Sequence, residues 1–103
     1  MARRVRWTQS ALNDLDNICE YIARDSQFYV AAFVNKIKLA SRSLSKMSSR
    51  TRTVPETQNT NIRELLIGSF RLMFRLQGNE VQIIAILHQA QNLESFANQI
   101  LDN

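Results

Sequence analysis

Residues that create special covalent or backbone features are scarce in this 103-residue chain, which has one cysteine, one histidine, one proline and two glycines. A single cysteine excludes an intramolecular disulfide framework and is typical of a reducing cytosol. One cysteine and one histidine are too few for a structural zinc site, so we expect no metal and no cofactor. Two glycines exclude a glycine-rich phosphate loop, and the scarcity of glycine and proline excludes a low-complexity chain.

Long hydrophobic runs are also absent. The most apolar stretch, residues 81–87, is far shorter than the ~20 residues that span a bilayer. The basic start of the chain is not followed by the apolar core of a signal peptide. With 45% hydrophobic and 21% charged residues, the composition is that of one globular domain over residues 1–103. We therefore expect a soluble cytoplasmic protein that does not contact a membrane.

Basic residues outnumber acidic ones, 13 to 9, which gives a net charge of +4. This balance suits an acidic partner, either nucleic acid or an acidic protein. A run of cations follows the second predicted helix and its exit, and it would steer the protein toward nucleic acid. The alternative is a solvated helix face. The run consists of Lys36, Lys38, Arg42, Lys46, Arg50 and Arg52.

Two amphipathic helices are predicted after a short first strand at residues 5–7. Thr8 is a good N-cap because its hydroxyl accepts a hydrogen bond from a free amide in the first turn. Apolar residues at three- and four-residue spacing predict a first helix as far as Ile22 and a second from about residue 28 to about residue 47. Their connection is short, so they form an antiparallel hairpin.

The hydrophobic period changes to two after a polar loop at residues 48–61. This period predicts strands at Ile62–Ile67, 70–76 and 81–88, with turns at Gly68 and Gly78. The last strand is apolar on both faces and is expected to be central. A short C-terminal helix is predicted from Leu93, Phe96, Ala97 and Ile100. The fold is therefore α+β, with the helical hairpin on one face of a small, mainly antiparallel sheet and the other face partly uncovered.

Arginines mark the expected uncovered face. Arg71 and Arg75 are four residues apart on one strand, with Met73 between them, and Arg63 on the preceding strand would join them. Guanidinium groups bind phosphate and carboxylate through paired donors. This cluster therefore suits a nucleic-acid backbone or an acidic peptide. The alternative is a solvated strand face with ion pairs to carboxylates such as Glu64.

The single histidine, His88, ends the predicted central strand. Imidazole exchanges protons near neutral pH, so His88 is the natural candidate for proton transfer, while a structural role is the alternative. Cys19 lies on the apolar stripe of the first helix and is expected to be an inert thiol. Trp7, Tyr21 and Tyr29 are interpreted as packing residues.

Several short motifs together resemble the RelE/ParE toxin family. The opening motifs are Arg6-Trp7-Thr8, Ala11, Asp14-Leu15, Ile18 and Tyr21-Ile22-Ala23. The later ones are Ile62-Arg63-Glu64-Leu65, Gly68-Ser69-Phe70-Arg71 and residues 81–88. The resemblance covers nearly the whole chain. It implies a toxin of a bacterial type II toxin–antitoxin pair, a helical hairpin on a small antiparallel sheet, and a cognate antitoxin whose C-terminal segment wraps the toxin.

Two activities occur in that family, and the resemblance leaves both open. RelE-like members cut messenger RNA in the ribosome, and ParE-like members inhibit DNA gyrase. For a nuclease, the resemblance implies Arg71 and Arg75 on phosphate and His88 as acid or base. Many relatives have tyrosine where this chain has Phe70, and no tyrosine follows Tyr29.

A basic residue is common in the family shortly after the histidine, but here Gln89, Ala90 and Gln91 follow it. These departures favour a ParE-like toxin that binds gyrase, with Arg63, Arg71, Met73 and Arg75 as residues that bind the target or the antitoxin. A ribosome-dependent mRNA endonuclease is the alternative. A degenerate member that binds antitoxin without toxicity is the third possibility.

Overall fold

The computed structural model describes residues 2–89, over which a pair of helices packs on a five-stranded sheet, as the α+β prediction requires. The predicted C-terminal helix lies outside the described residues. No helix within residues 2–89 is long and apolar enough to cross a membrane. The elements are β1 (Arg4–Trp7), α1 (Gln9–Ala23), α2 (Gln27–Met47), a 3₁₀ turn (Ser48–Arg50), β2 (Arg52–Thr53), β3 (Ile62–Ile67), β4 (Phe70–Gln77) and β5 (Glu80–His88).

Local signals in the sequence set the helix starts. The Thr8 hydroxyl accepts a hydrogen bond from the N–H of Ala11 at 3.2 Å, as predicted, and donates one to the carbonyl of Ile83 at 2.9 Å. Ser26 caps α2 by accepting from the N–H of Tyr29 at 3.4 Å, a cap that the apolar pattern alone did not predict. The caps therefore fix where both helices begin, and Thr8 also joins α1 to the sheet.

The sheet order is β1-β5-β4-β3-β2, with β1 parallel to β5 and the other neighbours antiparallel. The predicted position of β5 inside the sheet is confirmed, since it lies between β1 and β4. Gly68 and Gly78 each adopt φ +58° in the turns on either side of β4, a conformation that favours glycine. The predicted loop at residues 48–61 contains two short elements that sequence reasoning missed, the 3₁₀ turn and β2.

The helices cover one face of the sheet and enclose the larger core. Trp7 packs against this core, as predicted, and its indole Nε1 donates to the Ser41 hydroxyl of α2 at 3.1 Å. The fully buried members of this core come from both helices and from β4 and β5: Ala11, Ile37, Leu44, Leu72, Phe74, Val81, Ile83 and Ile86.

A β-bulge in β5 changes which residues face the helices. Met73 pairs with Ala85 and Phe74 pairs with Ile83, so Ile84 is an extra residue between them. Ile84 and Ala85 both join a second apolar cluster on the sheet face away from the helices. Because apolar clusters cover both faces of β5, its sequence is apolar on both faces.

The sheet face away from the helices, called the outer face here, is buried rather than open. Its cluster consists of Val54, Ile62, Met73, Ile84, Ala85 and Leu87, with Met73 only 2% exposed. The prediction of a partly uncovered face along β4 is therefore wrong. Apolar residues from β3, β4 and β5, with Val54 beside them, form a second core there.

Candidate functional site

Arg71 lies on the outer face at the centre of a network of ion pairs. Its Nη1 and Nη2 atoms donate to the two carboxylate oxygens of Glu56, both at 2.9 Å, and its Nε donates to Glu64 at 2.7 Å. Arg52 donates to the other oxygen of Glu64. The prediction that Arg71 projects into solvent is wrong, because only 6% of it is exposed. The alternative interpretation, an ion pair to Glu64, is the observed arrangement.

The hydrogen bonds between Arg71 and Glu56 favour the charged form of both side chains. The hydrogen bonds from Arg71 hold the pKa of the Glu56 carboxyl below its ordinary value. The same bonds, with those to Glu64, raise the pKa of Arg71 further above neutrality. Each nitrogen of the guanidinium donates to a carboxylate, so a phosphate group would have to displace Glu56 or Glu64 in order to bind there.

Arg63 does not join Arg71. It pairs across the strands with Phe74 and lies on the helix-facing side, whereas Arg71 lies on the outer face. Its Nη1 donates to the backbone carbonyls of Thr51 at 2.8 Å and Ser49 at 3.3 Å. Arg63 therefore fixes the turn between α2 and β2, and the predicted arginine cluster is divided between the two faces of the sheet.

Of the other predicted residues on β4, Met73 belongs to the outer-face core, so it offers no surface to a ligand. Arg75 pairs with Ile62 across the strands, lies on the same face as Arg71 and is half-buried. The structure therefore brings Arg71 and Arg75 to one face, as predicted, but places a buried methionine between them.

His88 is exposed at the end of β5 and lies opposite Phe70. The two rings meet edge to face, with centroids 5.4 Å apart and an interplanar angle of 83°. Phe70 packs against Phe33 of α2, so His88 belongs to the helix-facing side. The sheet separates His88 from Arg71, and the predicted arrangement of His88 with Arg71 and Arg75 at one site is wrong.

A surface that sequence reasoning missed lies at the tip of the helical hairpin. Tyr21, Phe28 and Tyr29 are 68%, 77% and 64% exposed, so the interpretation of the two tyrosines as packing residues is wrong. A groove of about 390 Å³ runs from these tyrosines to the β3–β4 turn, with Phe33 and Phe70 in its wall. The sequence signal was partial, because Tyr21 and Phe28 fall off the apolar stripes of their helices whereas Tyr29 lies four residues before Phe33.

A family model described as "ParE toxin of type II toxin-antitoxin system, parDE" matches residues 5–93. No curated protein sequence matches the chain.

Three solved structures share the fold. The chromosomal ParDE toxin–antitoxin system of P. aeruginosa aligns with a TM-score of 0.70 and 24% identity, over 84% of this chain and 96% of that one. The RelBE2 toxin–antitoxin complex of Mycobacterium tuberculosis aligns with a TM-score of 0.57 and 22% identity, over 85% and 99% of the chains. YafQ from E. coli aligns with a TM-score of 0.56 and 13% identity, over 85% and 94%. Because the family model spans most of the chain, the protein belongs to the ParE toxin family of type II toxin–antitoxin systems.

Proposed function

We propose that this toxin inhibits growth by binding DNA gyrase without catalysis, and that a cognate antitoxin neutralises it. Membership of the ParE family supports the toxin role. The choice of a binding mechanism rests on one observation, the double engagement of Arg71 by Glu56 and Glu64 on the face opposite His88.

Metal-independent RNA cleavage needs a proton acceptor, cations and a proton donor around one phosphate. In this chain the most central cation, Arg71, is already bound to two carboxylates. The most suitable proton-transfer group, His88, lies on the other side of the sheet. Joining them around one phosphate would require the sheet to open, and this supports a binding toxin over a nuclease.

The antitoxin is proposed to dock at the hairpin tip. Exposed aromatic side chains are the residues that most often dominate protein interfaces, because they bury large area at little entropic cost. Tyr21, Phe28 and Tyr29 place three such side chains beside an apolar groove. An apolar segment of the antitoxin lying in this groove would contact Phe33 and Phe70 at its floor.

A supercoiling assay tests the proposed target. Purified toxin, added to gyrase and relaxed plasmid, is expected to block supercoiling at near-stoichiometric ratios to gyrase. The cognate antitoxin is expected to restore it. Normal supercoiling in the presence of a large excess of folded toxin contradicts the proposal.

A ribosome-dependent mRNA endonuclease is the second candidate, and the exposed imidazole of His88 favours it. Primer extension on an abundant message, after induction without antitoxin, tests this activity directly. Codon-periodic cuts that disappear in the variant His88→Ala would show that the protein is an mRNA endonuclease instead of a gyrase inhibitor. Intact messages together with DNA damage would contradict the nuclease activity.

A further inference from the structure

The two helices of the hairpin carry opposite charge. Helix α1 contains Asp14, Asp16 and Glu20 and no lysine or arginine. Helix α2 contains four cations and no carboxylate. The whole segment from residue 26 to residue 55 lacks aspartate and glutamate. Positive charge is therefore concentrated on one element of the toxin.

Three of these cations form a straight row. Lys38, Arg42 and Lys46 are four residues apart, so they share one helix face and rise by about 6 Å at each step. Arg50, in the 3₁₀ turn, follows at the same spacing in the sequence. All four side chains are exposed, and none of them takes part in an ion pair within residues 2–89.

The start of the chain adds a fifth cation to the row. The N–H of Arg3 donates to the carbonyl of Ser45 at 2.7 Å, and its Nη1 donates to the Ser48 hydroxyl at 2.8 Å. These bonds fix Arg3 beside the last turn of α2, 45 residues away in the sequence. We call the set Arg3, Lys38, Arg42, Lys46 and Arg50 the basic surface.

Like charges four residues apart on a helix repel each other and destabilise the helix. Within residues 2–89 no ion pair joins these cations to a carboxylate, although other arginines are paired, such as Arg6 with Glu80 at 3.0 Å. A row about 12 Å long from Lys38 to Lys46 suits a partner with closely repeated negative charge. Duplex DNA is such a partner, since it presents one charge per ~1.7 Å of its axis.

We propose that the basic surface binds the phosphodiester backbone of duplex DNA. An acidic protein segment is the other candidate occupant, since Lys38 and Arg42 also line a groove with apolar side chains such as Leu12, and the antitoxin measurement below tests it. Ser49, exposed beside Arg50, supplies a hydroxyl donor of the kind that also contacts phosphate. If the toxin binds gyrase as proposed above, on which this role rests, it would bind the enzyme and the DNA of that enzyme at the same time.

Fluorescence anisotropy with a labelled 20-base-pair duplex tests the DNA contact without gyrase. The purified toxin is expected to bind with Kd in the range of ~10⁻⁴–10⁻⁶ M at physiological salt and more tightly at lower salt. The triple variant Lys38→Gln, Arg42→Gln, Lys46→Gln is expected to lose this affinity. If each cation neutralises one phosphate, the slope of log K against log salt becomes shallower by about 2.7.

A matched control removes the same charge elsewhere. This control is a triple variant that changes three exposed cations outside the basic surface: Arg4→Gln, Arg24→Gln and Lys36→Gln. Lys36 lines the hairpin-tip groove. This control is expected to keep most of the affinity and the original slope. Equal losses in both triple variants mean that net charge alone attracts DNA, and that result overturns the assigned surface.

Two further outcomes contradict the proposal independently of gyrase. One is absence of binding by folded wild-type toxin at low salt. The other is a triple variant of Lys38, Arg42 and Lys46 that binds DNA as tightly as the wild type but no longer binds the antitoxin. This result would show that the row binds the antitoxin instead of DNA. Failure of the supercoiling assay, with duplex binding intact, rejects the proposed target and leaves the DNA-binding surface in place.

Discussion

The carboxylate of Asp14, on α1, accepts a hydrogen bond from the backbone N–H of Ile86, on β5, at 3.1 Å. This bond joins the helical hairpin to the sheet two residues beyond the bulge at Ile84. Burial raises the pKa of the Asp14 carboxyl, and the hydrogen bond from Ile86 lowers it by less. Burial therefore disfavours the charged form of Asp14, while the carboxylate supplies the hydrogen-bond acceptor that the backbone N–H of Ile86 needs.

Replacing Asp14 separates these two effects. Asp14→Ala leaves the N–H of Ile86 without its partner and is expected to lower the free energy of unfolding by about 1–3 kcal/mol. Asp14→Asn keeps an acceptor oxygen without the charge, so it is expected to be much less harmful. Urea denaturation of both variants measures the difference. Equal destabilisation by alanine and asparagine would show that the charge, rather than the acceptor, matters.

The same carboxyl predicts a pH effect with a definite sign. Its pKa is higher in the folded than in the unfolded state, so as the pH rises above 3.8 the folded state keeps the proton that the unfolded state loses. The contribution of Asp14 to stability is therefore largest at low pH and is lost as the pH rises through the folded pKa. The stability of Asp14→Asn relative to wild type should increase between pH 4 and pH 7. A constant difference across that range contradicts the prediction.

The two carboxylates around Arg71 are expected to contribute unequally to stability. The Glu64 side chain is fully buried and pairs with two arginines, whereas that of Glu56 is 38% exposed. Glu64→Ala leaves a buried guanidinium short of a partner and is expected to destabilise by about 3 kcal/mol. Glu56→Ala is expected to have a smaller effect, about 1 kcal/mol.

Acid titration provides a second measurement of this network. The pKa of Glu56 is lowered in the folded state, so its contribution is present above the unfolded pKa and is lost as the pH falls through the folded pKa. Glu56→Gln should therefore show a weaker loss of stability in acid than wild type. An unchanged acid dependence indicates that Glu56 does not pair with Arg71 in solution.

Local patterns in the sequence were sufficient for the order of the two helices and the four longer strands. Thr8 has a side chain that caps a helix by itself, and the alternation along β4 is strict enough to identify a strand without knowing its neighbours. The outer face was predicted wrongly for two reasons. The alternation of apolar and polar residues along a strand cannot reveal the bulge at Ile84. The carboxylates that pair with Arg71 are 7 and 15 positions away in the chain, so the local pattern around Arg71 does not show them.

The position of Arg63 could have been predicted. A two-residue turn at Gly68 and Ser69 pairs Ile67 with Phe70, and counting back along both strands places Arg63 opposite Phe74. Because directly opposed residues share a face, Arg63 had to lie with Phe74 on the helix side. The sheet face on which a side chain lies therefore follows from the turn length and the register of the two strands. Alternation along one strand is insufficient to assign that face.

The exposed aromatics at the hairpin tip predict where antitoxin affinity resides. Tyr21→Ala and Tyr29→Ala are each expected to weaken the antitoxin complex by at least about fivefold, since large interface aromatics contribute more than about 1 kcal/mol. Both tyrosines are mostly exposed in the free toxin, so the folding stability should change little. Leu66→Ala, at an exposed apolar residue of β3 outside this groove, is the control. Equal weakening by all three variants contradicts docking at the tip.

His88 offers the sharpest separation of the two candidate functions. In a gyrase-binding toxin, His88→Ala removes the edge-to-face contact with Phe70, so gyrase inhibition should be unchanged and stability should fall by about 1 kcal/mol. In a nuclease, the same change should slow cleavage by roughly 10²–10⁴-fold. Supercoiling inhibition and primer extension, measured on the same preparation of the variant, distinguish these results. Because His88 is exposed and lies across the sheet from Arg71, we expect inhibition by the variant to equal that of the wild type.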